Sequence, residues 1–242
     1  MSTQQQHQLA DYFPTTAWLD NYQQALESSA ELDETGAGWG VGWNGDFVFE
    51  IQDLPLEAYT VADLPDELWS ALETAIEQLP ADTVEDVVAT APDVVQEGIE
   101  AREGDINERA IAELRETRLA DTPERIWPEF ENLMPDILVD LIQELEDNVA
   151  DGGTVYAWIG LKDGGCYEVE TMQSLDEREF GMRLEAGYEQ WVALTSGEMD
   201  VVQGIMSGDL ELDGDMQKIL QYSDAALTMT DVAAEMDKRY LF

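Results

Sequence analysis

The spacing of apolar residues along this chain changes period twice. After Thr15 and Thr16, either of which can cap a helix, Trp18, Leu19, Tyr22 and Leu26 recur at the spacing of one helical face. The period then drops to two. Trp39, Val41 and Trp43 alternate with Gly38, Gly40 and Gly42, and Phe47, Phe49 and Ile51 alternate again. Both runs read as strands, and Asn44-Gly45 between them is a turn signal, so a hairpin is predicted. From Leu56 the helical period returns. Leu68, Trp69, Leu72, Ile76 and Leu79 stripe residues 66–79, which Pro80 ends; 83–101 and 106–119 are further helices, and 124–149 is an apolar-striped segment broken by Pro128 and Pro135. No stretch of 56–150 alternates, so a purely helical unit is predicted there. Beyond Gly152-Gly153 the two-residue period resumes. Residues 154–161 and 166–172, joined by the turn 162–165, predict a hairpin, and 180–185 a further strand. Helices follow at 188–194 and 199–206, a short strand at 209–212, and helices at 215–222 and 230–238, the last capped by Thr230. The Gln-rich stretch 1–12 is expected to fray.

Charge adds a statement about solvent. The chain carries 54 Asp and Glu against 11 Lys and Arg, a formal net charge of -43. The acids are spread over the whole length rather than gathered in a tail, and 7 Trp, 8 Tyr and 6 Phe accompany them, so a packed core is expected. Self-repulsion at this density opposes compaction unless salt screens it. These features describe a folded cytoplasmic protein of an extreme halophile. Nucleic acid is excluded as a partner, because phosphate binding draws on Lys and Arg. Residues 1–8 lack the basic start and apolar run of a secretory leader, and no stretch reaches the roughly 18 apolar residues of a membrane span.

Catalytic motifs fare badly. Gly40-Val41-Gly42-Trp43-Asn44-Gly45 spells the dinucleotide fingerprint GxGxxG, but a strand follows it where a helix must aim its N-terminus at the pyrophosphate. Asp209 to Asp215 resembles the start of a calcium loop, yet Leu220 stands where a closing Glu is required. The one histidine, His7, lies in the tail, which removes His-dependent triads and zinc sites. Cys166 is alone, so no intramolecular disulfide forms, and it reads as an inert strand residue. With 54 carboxylates, pairs of them carry no information about acid–base catalysis. No cofactor, metal or enzymatic activity is expected.

One segment carries more. Trp191, Leu194, Ser196-Gly197, Glu198 and Met199, then Val201-Val202-Gln203-Gly204-Ile205-Met206-Ser207-Gly208, Asp209-Leu210-Glu211-Leu212 and Asp213-Gly214 place glycines between short elements at 197, 208 and 214. This resembles the sterol carrier protein type 2 domain, in which a short helix ends in a small residue and Gly, a second helix reaches a Gly, and a short strand ends in Gly before a final helix. Residues 46–52, 154–169 and 180–185 are similar to that family's first strand, second hairpin and the strand entering the motif. The likeness covers two blocks, 36–55 and 151–225. Family members join the first strand to the second by a short loop, whereas about 95 helical residues intervene here. Acids stand at Glu198 and Glu211, where the family commonly has bases.

The expectation is an α+β fold: a mostly antiparallel five-stranded sheet with helices packed on it and a helical insertion between the first and second strands. A single domain built from 15–55 and 151–242 carries the insertion 56–150. The resemblance implies non-enzymatic binding of an apolar or amphipathic small molecule, a lipid, isoprenoid or acyl chain. The alternative is an accessory protein with a vestigial cavity, whose insertion holds a protein partner. Residues expected to line a cavity are Phe47, Phe49, Trp158, Trp191, Leu194, Val202, Ile205, Met206, Ile219 and Leu220, each of which also fits ordinary core. Met199 and Met206 would lend the cavity adaptability.

Overall fold

The structure, a computed structural model, describes residues 8–242 and divides into two compact units. One comprises residues 8–54 and 147–240, the other 55–146 and 241–242. In chain order the first unit opens with β1 (Tyr12–Phe13), α1 (Thr16–Glu27), α2 (Ala30–Thr35) and β2 (Phe47–Gln52). The second supplies α3 (Asp66–Glu77), α4 (Ala81–Val88), α5 (Asp93–Glu100), α6 (Ile106–Glu116), α7 (Thr122–Arg125), α8 (Pro128–Glu131) and most of α9 (Asp136–Asn148). The chain then returns to the first unit through β3 (Val155–Lys162), β4 (Gly165–Met172), β5 (Met182–Gly187), α10 (Tyr188–Thr195), α11 (Val201–Ser207), β6 (Glu211–Asp213), α12 (Met216–Gln221), α13 (Ser223–Glu235) and β7 (Arg239–Tyr240).

The first unit is built on a five-stranded sheet in the order β4-β3-β2-β5-β6. Every pairing is antiparallel except β2 with β5. This is the α+β fold with a mostly antiparallel sheet, and the helices α3 to α8 fall between its first and second strands. Register fixes which residues share a face. Phe47 pairs with Ile159 and with Met182, Phe49 with Ala157 and Leu184, whereas Val48 pairs with Trp158 and Arg183. Residues directly opposite point the same way, so the Phe47/Phe49/Ile51 face and the Val48/Glu50 face are separate surfaces. β1 and β7 form their own two-residue parallel pair.

The helical unit follows from its prolines. Pro65, Pro80 and Pro92 each occupy the residue immediately before a helix, where a missing N–H costs no intrahelical bond. Pro92 therefore splits the helix expected over 83–101 into α4 and α5. The apolar stripes Leu68/Leu72/Ile76, Val95/Ile99 and Ile106/Ala110/Leu114 are buried. Glu113 is buried among them, held by Arg102 at 2.8 Å and Arg125 at 2.9 Å. A side chain at position 98 would place its Cβ 2.5 Å from that carboxylate, which accounts for Gly98 in α5.

Three expectations are overturned locally. Residues 36–45 form a loop, not a strand of a hairpin, because Gly38, Gly40 and Gly42 all take positive φ and coil the backbone. Trp39 is buried by that coiling while Val41 is 56% exposed, and Asn44 Oδ1 accepts from the Asp46 amide rather than leading a two-residue turn. Residues 8–12 are not frayed in the described part: Tyr12 and Phe13 are buried and paired with β7. The rest of the expected tail, His7 included, lies outside the described residues. The last helix starts at Ser223 rather than Thr230, and the Thr230 hydroxyl donates to Leu227 O inside it.

Candidate functional site

α1 begins as its sequence requires, with Thr15 Oγ1 accepting from the Trp18 amide at 3.2 Å. That start sets the helix phase, so Trp18, Leu19 and Tyr22 share one buried face. This face, together with Phe47, Phe49 and Ile51 of β2 and Leu184 of β5, borders an apolar cavity inside the sheet unit. α10 adds Trp191, Leu194 and Thr195, and α13 adds Ala226, Met229, Thr230 and Ala233. Phe13, Trp39 and Val201 complete the lining. No Asp, Glu, Lys, Arg or His is among these residues.

The cavity volume is about 50 Å³. Its polar side chains are mostly turned to the backbone. Trp39 Nε1 donates to Gly45 O at 2.7 Å and Trp191 Nε1 to Glu50 O at 3.0 Å. Tyr22 Oη donates to Met229 O at 3.0 Å, and Thr195 Oγ1 to Trp191 O at 2.8 Å. Burial pushes the Tyr22 phenol up, so it stays neutral. Trp18 Nε1 differs: it is buried and no hydrogen-bond partner reaches it.

Of the ten residues expected to line a cavity, the structure brings four together here: Phe47, Phe49, Trp191 and Leu194. Trp158 is on the opposite face of the sheet, as its pairing with Val48 dictates. There it packs with Val48 and Met172, lies 3.7 Å under the Arg178 guanidinium, and donates to Glu179 O. α11 turns Val201 and Gly204 inward, which rotates Val202 and Ile205 to half-buried positions and leaves Met206 73% exposed. α12 buries Ile219 away from the cavity and leaves Leu220 53% exposed. The residues that sequence reasoning missed come chiefly from α1 and α13. The α1 stripe was visible as an amphipathic face, but nothing local says which layer it covers. In α13 the lining positions 226, 229, 230 and 233 follow helical spacing, masked by small side chains at Ala226 and Ala233.

Other candidate chemistry is occupied structurally. On the far face Glu50 is buried, with Arg183 Nη1 on one oxygen at 2.9 Å and Gln52 Nε2 on the other at 2.7 Å. Asp215, in the stretch resembling a calcium loop, accepts from the Gln217 and Lys218 amides as the cap of α12. Among the described residues no group of three His, Cys, Asp or Glu is placed to hold a metal ion, and no helix is long and apolar enough to cross a membrane. Burial pushes the Cys166 thiol up to about 12. Alkylation of Cys166 by iodoacetamide near pH 8 is therefore expected to be slow in the native protein and rapid after unfolding, read by mass spectrometry. Equal rates in both states would contradict that burial.

Residues 141–226 match the SCP-2 sterol transfer family. The SCP-2 match runs from within α9 into the start of α13, so it includes Leu184, Trp191, Leu194 and Val201 of the cavity and leaves α1 and β2 outside. Within it, Gly197 and Gly208 take positive φ, Gly208 as the left-handed cap of α11; these are backbone requirements behind the glycine spacing. No curated protein matches the sequence. Among solved structures, a crystal structure of sterol carrier protein 2 is 14% identical, with 91% of this chain and 95% of that one covered and a TM-score of 0.45. A conserved hypothetical protein of Thermus thermophilus, described as possibly a sterol carrier protein, is 25% identical over 36% of this chain and 59% of its own, at a TM-score of 0.32. Sterol carrier protein domain 2 of Helicoverpa armigera is 15% identical over 46% of this chain and 91% of its own, at 0.27.

Proposed function

We propose that the sheet unit binds an apolar or amphipathic small molecule, a lipid, isoprenoid or acyl chain, and carries it unchanged in a salt-rich cytoplasm. The observation that supports this most is the lining of the cavity, which is aromatic and aliphatic and holds no charged side chain. The SCP-2 match over 141–226 points the same way. At about 50 Å³ the cavity is well below the roughly 300–1,000 Å³ of small-molecule pockets, so binding requires the walls to part. Met229 is the adaptable side chain among them, and Ala226 and Ala233 give α13 a thin inner face.

Long-chain ligands are expected to quench or shift tryptophan emission, since Trp18, Trp39 and Trp191 all border the cavity, and to bind with about micromolar affinity, near -8 kcal/mol. Ala233→Phe fills the site from α13 and is expected to abolish saturable binding, with circular dichroism confirming the fold because overpacking costs about 1–3 kcal/mol. Gly204→Leu does not serve this purpose. Its Cβ would meet Leu210 Cδ1 at 2.7 Å and break the packing of α11 instead. The small volume favours a second reading, an accessory protein with a vestigial cavity and a protein partner on the helical unit. Absence of saturable binding across fatty acids, isoprenoids and acyl-CoA in molar salt would decide for that reading.

A further inference from the structure

Loop 36–46 contributes to two different spaces in the sheet unit. Trp39 borders the apolar cavity, whereas Gly40, Trp43 and Asp46 line an open groove together with Leu161, Lys162 and Tyr167 of the β3–β4 hairpin. The groove volume is about 400 Å³, inside the roughly 300–1,000 Å³ of small-molecule sites, against about 50 Å³ for the apolar cavity. The GxGxxG stretch therefore builds a wall of this groove. Gly40 takes φ +68°, and a Cβ there would lie 3.0 Å from Leu161 O; a Cβ at Gly45 would lie 2.7 Å from Gly40 Cα. Glycine at both positions lets the loop close against β3.

The groove carries charge of both signs. Asp46 Oδ1 accepts from Tyr167 Oη at 2.8 Å and from the Leu161 amide at 3.2 Å, which fixes the carboxylate in place. Its Oδ2 has no donor among the described residues and is not a buried atom, so it is open to accept from a ligand. Lys162 is exposed and makes no ion pair among the described residues, in a chain that holds 54 acids. Lys218 Nζ lies 5.3 Å from the Trp43 ring, so two of the three lysines of the chain meet at this loop. We propose that the groove binds a zwitterionic amino acid with a large apolar side chain, its ammonium on Asp46 Oδ2, its carboxylate on Lys162 and its side chain against Trp43 and Tyr167. A free anion meets Asp46 and a net charge of -43, and a free cation meets Lys162. A zwitterion complements both groups and carries no net charge to repel. Its primary ammonium supplies the N–H donors that Oδ2 lacks.

Calorimetric titration of the full chain in molar KCl at neutral pH tests this with L-phenylalanine, phenethylamine, which lacks the carboxylate, and hydrocinnamate, which lacks the ammonium. L-phenylalanine is expected to bind about tenfold more tightly than either, since each analogue loses one charge-assisted hydrogen bond. Lys162→Gln is expected to weaken L-phenylalanine and hydrocinnamate about tenfold and to leave phenethylamine unchanged. Asp46→Asn, whose Oδ1 can still accept from Tyr167 and Leu161, is expected to weaken L-phenylalanine and phenethylamine and to spare hydrocinnamate. Circular dichroism checks the fold of both variants; Lys162 is exposed, so its replacement keeps the test open if Asp46→Asn fails to fold. Bound L-phenylalanine is expected to shift the indole resonance of Trp43 and to leave that of Trp191, which borders the apolar cavity, in place. Equal binding of the three compounds, or tightest binding of hydrocinnamate, overturns the zwitterion assignment. Absence of saturable binding, or a shift at Trp191 instead of Trp43, overturns the groove as the site.

Discussion

Dialysis from molar KCl into about 50 mM salt is expected to unfold this protein, seen as loss of its far-ultraviolet circular dichroism and of a cooperative melting transition. The cause is 54 carboxylates on 242 residues. At 1 M salt the Debye length is about 3 Å and only near neighbours interact; as salt falls the repulsion extends across whole elements. Ion pairs strengthen at low salt but are too few to compensate, because 11 basic residues face those acids. Acid is not an equivalent remedy. Arg102 holds the Glu116 carboxyl below its ordinary range, Arg178 does so for Glu168, and the backbone amide and hydroxyl of Thr60 for Asp63. A depressed folded-state pKa contributes stability above the unfolded value and loses it as pH falls through the folded one, so acid strong enough to discharge the carboxylates, below their ordinary range, also removes these contacts. An unchanged spectrum and melting temperature in low salt would remove the halophilic reading.

Arg183→Met is expected to destabilise the sheet unit by about 3–5 kcal/mol in molar salt, because it leaves Glu50 buried with Gln52 as its remaining side-chain donor. Glu50 is 5% exposed at the centre of β2. Adding Glu50→Gln removes the stranded charge, and the double variant is expected to recover most of the loss. Denaturant melts of the two singles and the double measure the coupling. If Arg183→Met and the double variant are equally unstable, the charge of Glu50 is not what Arg183 compensates.

Legibility followed the range of the interaction. α1 was readable from Thr15 and the Trp18/Leu19/Tyr22/Leu26 stripe, and the β3–β4 hairpin from alternation around 162–165, since in both the deciding contacts lie within a few residues. The α11–β6–α12 region was readable because Gly197, Gly208 and Gly214 mark backbone turns that only glycine takes freely. Alternation failed at Trp39, Val41 and Trp43, where hydrophobic period and glycine content pointed in opposite directions and positive φ at the glycines prevailed.

By itself, then, the sequence determined the class of each long element, the helical character of 56–150, the mostly antiparallel α+β fold and the charge that couples the chain to its solvent. These depend on local periodicity and on composition. Only the tertiary structure decided the site. Whether Trp158 joins Phe49 or opposes it depends on the pairing of Val48 with Trp158, a register between strands more than 100 residues apart. Whether Val201 or Met206 faces inward depends on how α11 packs against Leu210. The strand register joins segments distant in the chain, and the rotation of α11 is a choice among faces that local spacing leaves open.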